Sequence, residues 1–190
     1  MPARRLPDPD RPQKIIAATL AVIARDGIGA LSHRAVAAMA DVPLGATTYY
    51  FKTRDQLIAA ATEHAAADLA AEVDSWFADP PTRATIARRI GELTAYQTAP
   101  GPRRDQLAVE YELYLAGGRI ASLREINSKW DGVLSELMTP MMPPDAVRAV
   151  AALLTGLHVE AVVYDVSYEA DDVAMLLETT ISAFESRASH

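Results

Sequence analysis

LSHRAVAAMADVPLGATTYYFKTRDQL, residues Leu31 to Leu57, decides how this chain is read. Ser32 is a strong N-cap, and Ala35, Val36 and Met39 behind it fall at the spacing that lays an apolar stripe along one face of a short helix. Asp41 tolerates a turn conformation. Pro43 lacks the N–H that a continuing helix needs but suits the first turn of a new one, so the break falls at Ala40 to Val42. The pattern predicts a second short helix from about Pro43 to Tyr49, crossing the first, with Leu44, Ala46, Thr47 and Thr48 on accessible positions. Thr53 and Gln56 then form a Thr-x-x-Gln capping box that starts a third, longer helix. Two short crossed helices followed by a long one make a helix-turn-helix.

Outward from this stretch the chain reads as helices alone. Towards the N-terminus, Ile15, Ile16, Leu20, Val22 and Ile23 recur at helical spacing between Arg11 and Asp26, and Gly27 ends that helix. Residues 1 to 12, with Arg4, Arg5 and four prolines, read as an arm able to reach a minor groove or as a terminus with no role. Towards the C-terminus, Arg54 to Asp79 forms an Ala-rich helix stopped by Asp79-Pro-Pro81, and at about 1.5 Å per residue it is long enough to act as a lever. Further helices are predicted over Thr82 to Thr98, Arg103 to Ala116 and Arg119 to Met138. Breaks at Ala99-Pro-Gly-Pro102, Gly117-Gly118 and Pro140 to Pro144 separate them from each other and from the C-terminal pair of helices. Asp145 to Asp165 is apolar almost all the way round, as a helix buried on two sides must be. Asp171 to Ser186 is the last helix. Together the last two suggest a dimer interface, a four-helix bundle made from two chains. Ala149, Ala152, Leu153, Gly156, Val159 and Val163 would come from the first, and Val173, Leu177, Ile181 and Phe184 from the second. The alternative is that both complete a monomeric core.

Composition narrows the function. The chain has 190 residues, half of them hydrophobic, so it can bury a sizeable core. It has no cysteine, which removes disulfides, thiol nucleophiles and Cys-type zinc sites and fits a reducing cytoplasm. The N-terminal residues have positive charge but no apolar h-region, and no stretch reaches the length of a membrane span without charges, so neither a signal peptide nor a membrane association is expected. The formal net charge of −7 is unevenly placed. Residues 1 to 55 hold eight Lys or Arg against five acids, and the remainder ten against twenty. A basic head on an acidic body suits a chain whose one end meets phosphate.

Val42-Pro-Leu-Gly-Ala-Thr-Thr-Tyr-Tyr-Phe51, followed by Lys52 and Asp55-Gln-Leu57, resembles the DNA-binding signature of the TetR family of transcriptional regulators. The resemblance covers Lys14 to Leu57 by motif and the rest by length and helical pattern. Asp41 stands where the family usually has Gly, and Thr48 where it usually has an aromatic, with Tyr49 and Tyr50 following. The resemblance implies an all-α protein. Residues 1–52 would be the N-terminal arm and three-helix, helix-turn-helix DNA-binding domain, and residues 53–190 a helical effector-binding and dimerisation domain. It also implies double-stranded DNA and a small-molecule effector as partners, in a homodimer.

Residue chemistry refines this. From Pro43 to Tyr50 there is no Arg, Lys, Asn or Gln, so the common bidentate pairings with guanine or adenine are missing. Leu44, Ala46 and the methyl groups of Thr47 and Thr48 would instead approach thymine methyls, with Gly45 among the DNA-binding residues and Arg34 as the candidate base contact. Ser32, Pro43, Tyr49, Tyr50 and Lys52 would position the backbone. For the effector pocket that the resemblance implies, Trp76, Tyr96, Glu110, Tyr111, Tyr114, Trp130, Leu134, His158 and Glu160 are inward-facing candidates. Glu110, His158 and Glu160 are the more informative, because a titratable group inside a bundle needs a partner.

Catalysis has little support. His33, His64, His158 and His190 are scattered without HExxH or an adjacent ligand pair, and there is no GxGxxG or P-loop, so no metal or cofactor is expected. The expected function is a DNA-binding regulator, most simply a repressor released from a pseudo-palindromic operator by a ligand. Its rivals are a helical protein-interaction module that does not bind DNA and an all-α enzyme.

Overall fold

A computed structural model describes residues 9–188, so the reading of Arg4 and Arg5 as an arm lies outside the described residues. Nine α-helices and no strands occur among them. They are α1 (Arg11–Asp26), α2 (His33–Met39), α3 (Leu44–Tyr50), α4 (Arg54–Trp76), α5 (Ile86–Thr98), α6 (Pro102–Ala116), α7 (Leu123–Met138), α8 (Pro144–Tyr164) and α9 (Ala170–Ala188). The starts and stops follow local chemistry. Pro lies in the first turn of α1, α6 and α8, where its missing N–H costs nothing. Ser32 and Thr53 accept hydrogen bonds from Ala35 N and Gln56 N, both 3.2 Å. The Gln56 side chain reaches back to Lys52 N at 2.5 Å and completes the capping arrangement.

Three helix ends differ from the sequence reading by three residues or more. The helix expected from Thr82 begins at Ile86, because Thr82 to Thr85 closes into a turn through Thr82 N donating to Thr85 Oγ1 at 2.9 Å. The helix expected from Arg119 begins at Leu123, after a run of tight turns that includes Gly118 N to Leu115 O at 3.1 Å. The long helix ends at Trp76 rather than Asp79, and the Arg89 guanidinium donates to the freed Trp76 and Asp79 carbonyls.

Two apolar clusters hold the chain together. The first joins Ile15, Val22 and Ile23 of α1, Val36 of α2, and Leu57, Ile58 and Ala61 of α4. Leu113 of α6 with Leu123 and Ile126 of α7 complete it. The core of the head therefore extends onto α6 and α7, which it meets through α1 and α4. The second cluster is centred on α5, α8 and α9 and includes Ile86, Ile90, Leu93, Val150, Leu154, Val173, Leu177 and Ile181. The tightest contact in it is between α5 and α9. A Cβ added at Gly91 of α5 would stand 2.5 Å from the Ala170 carbonyl oxygen and 3.0 Å from Ala174 N.

That contact corrects the expected dimer face. Val173, Leu177 and Ile181 are fully buried against this chain's own core and cannot meet a partner. Phe184 is half-buried and packs on the same cluster. The side of α9 that faces outward carries Met175, Leu176 and Thr179. The stripe expected on α8 divides similarly. Ala152, Gly156 and Val163 are exposed, whereas Ala149, Leu153 and Val159 are half-buried. By length and composition α8 is apolar enough to cross a membrane, although it carries Asp145, Arg148 and Glu160. Here seven of its residues, among them Val150, Leu154 and Leu157, are buried against neighbouring helices. Its C-terminal turn is held by Arg104, which is buried and donates to Thr98 O at 2.7 Å, to Ser167 Oγ at 2.8 Å and to Asp165, the left-handed residue that ends α8.

In an ordinary helix interior, Gly to Ala stabilises by roughly 1 kcal/mol. For Gly91→Ala the opposite sign is expected, a loss of about 1 to 3 kcal/mol in urea unfolding, because the atoms in the way are backbone. A gain in stability would mean that α5 and α9 are not in this close contact.

Candidate functional site

The turn between α2 and α3 depends on Asp41, whose φ of 50° lies in the left-handed region. Asp tolerates that conformation where most residues do not, and it stands at the position the family usually fills with Gly. Val42 N then donates to Ala37 O at 3.0 Å, folding the turn back on α2. With two turns only, α3 has one face against α2 and one facing solvent. Thr47 occupies the inner face and is completely buried. Its hydroxyl donates to Leu44 O at 2.8 Å and lies 3.2 Å from His33 Nδ1. The expectation that Thr47 touches DNA is therefore corrected: it is the joint between the two short helices.

Leu44, Gly45, Thr48 and Tyr49 remain on the outer face, at the i, i+1, i+4, i+5 spacing of one helix side. Ala46 and Tyr50 are half-buried, and Tyr50 packs against the core of the head. Tyr49 is 70% exposed, meets Tyr50 edge-on at 5.0 Å, and has Lys52 Nζ 5.5 Å from its ring centre. Of the two tyrosines, Tyr49 is thus the one free to meet a phosphate. A Cβ at Gly45 would meet nothing within 4 Å, so the backbone there can be approached closely. Ser32, Arg34, Pro43 and Lys52 are exposed around this face. Arg54, counted in the basic head, is a clamp on the loop after α1 instead. Its guanidinium donates to Leu31 O at 3.0 Å and to Ile28 O.

A cavity of about 140 Å³ lies in the body between α4, α5, α6, α7 and α8. Its size is close to the roughly 150 Å³ apolar hole that admits a benzene-sized guest. Of the expected residues, Glu110, Tyr111, Trp130, Leu134 and His158 line it, and Tyr114 lines a smaller adjoining pocket with Glu110, Tyr111 and Trp130. Trp76 and Tyr96 do not line it. They stack on each other at 5.4 Å, with Tyr96 half exposed. Glu160 is also outside, accepting the Tyr168 hydroxyl at 2.6 Å.

Sequence reasoning misses the polar network behind the cavity, which Gln97 and Glu110 of its lining join. Arg103 donates to both oxygens of Glu72 at 2.8 Å and to Glu110 Oε2 at 3.2 Å. Gln97 donates to Glu72 at 2.7 Å, and Gln106 to Glu110 Oε1 at 2.9 Å. The seven-residue spacing of Arg103 and Glu110, two turns of one helix face, is the signal that could have found it. Glu72 comes from another helix and gives none. Burial pushes the Glu110 carboxyl up to about 7 against the opposing effect of Arg103. Burial alone would raise Glu72, but the hydrogen bonds from Arg103 and Gln97 outweigh it and hold that carboxyl below its ordinary value. Burial, reinforced by the Arg103 charge, lowers His158 to about 4, so its ring is neutral near pH 7. His158 Nδ1 is 3.1 Å from the Tyr111 hydroxyl, and its buried Nε2 has no partner among the described residues.

One residue beyond Tyr111, Glu112 turns towards the helix-turn-helix and accepts Ile28 N at 2.6 Å. Thus α6 presents Glu110 and Tyr111 to the cavity and Glu112 to the head. Residues 15–61 match the description "Bacterial regulatory proteins, tetR family", and residues 81–183 match "Tetracyclin repressor-like, C-terminal domain". The chain belongs to the TetR family. It is 28% identical to the HTH-type transcriptional repressor KstR of Rhodococcus jostii (strain RHA1), over 90% of this chain and 81% of that protein. Among solved structures it is similar to a TetR-family member from Streptomyces coelicolor A3, with 35% identity, a TM-score of 0.79, and coverage of 91% and 99% of the two chains. It is also similar to the multidrug binding protein EbrR in complex with ethidium, with 34% identity, a TM-score of 0.79, and coverage of 90% and 98%. EbrR has also been solved with proflavin and with malachite green. As a member of this TetR family, the chain is a transcriptional regulator with a helix-turn-helix DNA-binding domain.

Thr47→Ala is expected to cost about 1 to 2 kcal/mol of stability, the loss of a buried hydrogen bond and a methyl's worth of packing. Thr48→Ala, whose residue is exposed, should stay within about 0.5 kcal/mol in the same denaturant titration. A second expectation concerns pH. Because the folded protein holds the Glu110 proton after the unfolded chain has released it, stability falls as pH rises from 4.5 through 7. Relative to Glu110→Gln the wild type should lose on the order of 2 to 3 kcal/mol across that window, and parallel pH profiles for the two would disprove it.

Proposed function

We propose that the chain is a homodimeric repressor that binds a pseudo-palindromic operator through α3 and is released when a small organic molecule enters the cavity. In this reading residues 1–52 contact DNA and residues 53–190 bind the effector and dimerise. The observation that carries it is the double duty of α6, with Tyr111 on the cavity and its neighbour Glu112 on the loop that supports the helix-turn-helix. A ligand that displaced α6 or the Glu72 side of α4 would move the head. Only a difference in ligand affinity between the DNA-competent state and the other state can drive the switch.

The DNA-facing surface is short of charge, so its readout is mostly by shape and methyl contact. Leu44 and Thr48 suit thymine methyls, Arg34 suits a base edge, and Tyr49, Lys52 and Ser32 suit phosphates. Dimerisation would use the outward faces of α8 and α9, where Gly156 has open space around it and Val163, Met175 and Leu176 are exposed apolar residues. The named repressor activity of KstR and the dyes bound by EbrR favour the same reading.

The test is selection of DNA from a random pool by the purified protein, followed by anisotropy titrations. The expected sequence is an inverted repeat with half-sites about one turn, roughly 34 to 36 Å, apart. Affinity should fall steeply with salt, and Tyr49→Ala, Lys52→Ala and Arg34→Ala should each weaken it by about 1 to 3 kcal/mol with unchanged folding. Gly156→Arg should yield a monomer by sedimentation and lose operator binding with it. Enrichment of no inverted repeat, or a wild type that sediments as a monomer, overturns the proposal.

A further inference from the structure

The charges behind the cavity do not balance. A buried carboxylate, Glu110, and a partly buried one, Glu72, share one guanidinium, and the sharing is unequal. Arg103 makes two bonds of 2.8 Å to Glu72 but reaches Glu110 only at 3.2 and 3.3 Å. With Glu110 ionised the cluster holds an uncompensated negative charge in the core, and with Glu110 protonated it is neutral. Among the described residues nothing else near Glu110 supplies a positive charge. On α4 the nearby ionisable groups are Glu72 and Asp68, and on α5 Gln97 is neutral. On α6 they are Arg103, Asp105, Tyr111 and Tyr114, on α7 Asp131, and on α8 the neutral His158. The groove on the α1 side of Glu110 is lined from α1 by Leu20, Ala21 and Ala24, which carry no charge.

The walls between these groups are aromatic. The Tyr111 and Tyr114 ring centres are 6.2 Å apart, and Tyr114 and Trp130 are 6.3 Å apart. Asp131 at the mouth accepts the Tyr114 hydroxyl at 3.0 Å and remains exposed. Aromatic faces beside a carboxylate that lacks a full partner are the arrangement that stabilises an organic cation. His158 Nε2, buried and unpartnered on the same wall, also awaits a polar group from an occupant. An anion would meet Glu110 and Asp131, with Arg103 already occupied by carboxylates.

We propose that the cavity selects an organic cation of about one aromatic ring, with the Glu110 carboxylate as its counter-ion and the Tyr111 and Trp130 rings as the surfaces it rests on. This rests on the reading of the cavity as the effector site. Binding of the cation completes the charge balance of the cluster and, below about pH 7, releases the proton that Glu110 then holds in the empty state. The cation therefore binds in exchange for a proton, and the exchange becomes easier as pH rises.

The test uses the full chain and three one-ring probes in calorimetry: phenyltrimethylammonium, its neutral isostere tert-butylbenzene, and benzenesulfonate. In a plain apolar hole the neutral probe wins, because it carries no desolvation cost. Here phenyltrimethylammonium should bind at least about tenfold more tightly than tert-butylbenzene at pH 8, with benzenesulfonate weakest. Its affinity should fall by up to about tenfold per pH unit below 6, and its heat should vary with buffer ionisation as up to one proton is released. Glu110→Gln should abolish the cation's advantage over tert-butylbenzene. Equal or better binding of either other probe to the wild type overturns the inference, as does a cation preference that survives in Glu110→Gln. If tert-butylbenzene binds and the cation does not, the cavity stands as an effector site and only its charge selectivity is wrong. If no probe binds, the effector-site reading fails as well.

Discussion

Arg103 has to satisfy two carboxylates from two helices inside a body that is otherwise apolar. Its guanidinium ties Glu72 on α4, the helix that begins directly after the helix-turn-helix, to Glu110 on α6, the helix that lines the cavity. Burying such a trio gains little net stability over a well-packed apolar alternative, because each ion gives up its hydration. What it provides is a sensitive setting. The pair Arg103–Glu72 is close to ideal and stays ionised. Glu110 is left near the balance between its charged and neutral forms. Any occupant that alters the charge next to Glu110 therefore alters the tie between α4 and α6.

The way the two apolar clusters divide the chain makes that tie mechanically relevant. The core of the head is completed by Leu113 of α6 and by Leu123 and Ile126 of α7, so α1 and α4, which carry the head, rest on helices that also line the cavity. The second cluster, with α5 clamped on α9, is a separate mass to which these elements are attached. Between them α6 is in contact with both. Glu112 holds the Ile28 amide, and Arg54 holds the carbonyls of the same loop from the other side, so the segment leading into α2 is fixed from both α6 and α4. A small displacement of α6 relative to α4 has an immediate structural route to the orientation of α3.

The helix-turn-helix is legible residue by residue because its information is local. The N-cap at Ser32, the turn at Asp41, the proline before α3 and the Thr53–Gln56 box each act within four residues, and all lie where the sequence puts them. The side of a helix that faces inward is less local. Thr47 reads as a surface contact because a threonine in a short polar helix carries no sign of which neighbour covers it. In the fold, His33 and the crossing of α2 bury it. The same limit misassigns Val173, Leu177 and Ile181. Their spacing marks an apolar stripe on α9, but an identical stripe serves an internal neighbour or a second chain equally well, and Gly91 on α5 decides for the internal one.

By itself, then, the amino-acid order determined the helices of the described residues to within a few positions, the turn geometry of the head and the family signature, since these rest on backbone chemistry over one or two turns. It also named five of the cavity-lining residues, as inward aromatic and titratable groups on a bundle. Only the tertiary structure decided that Glu72, Arg103 and Glu110 converge, that Trp76 and Tyr96 pair off outside the cavity, and which faces of α8 and α9 remain open. Those outcomes depend on which helices meet and at what rotation, and that is set by the summed packing of many side chains distant in sequence rather than by any one stretch of it.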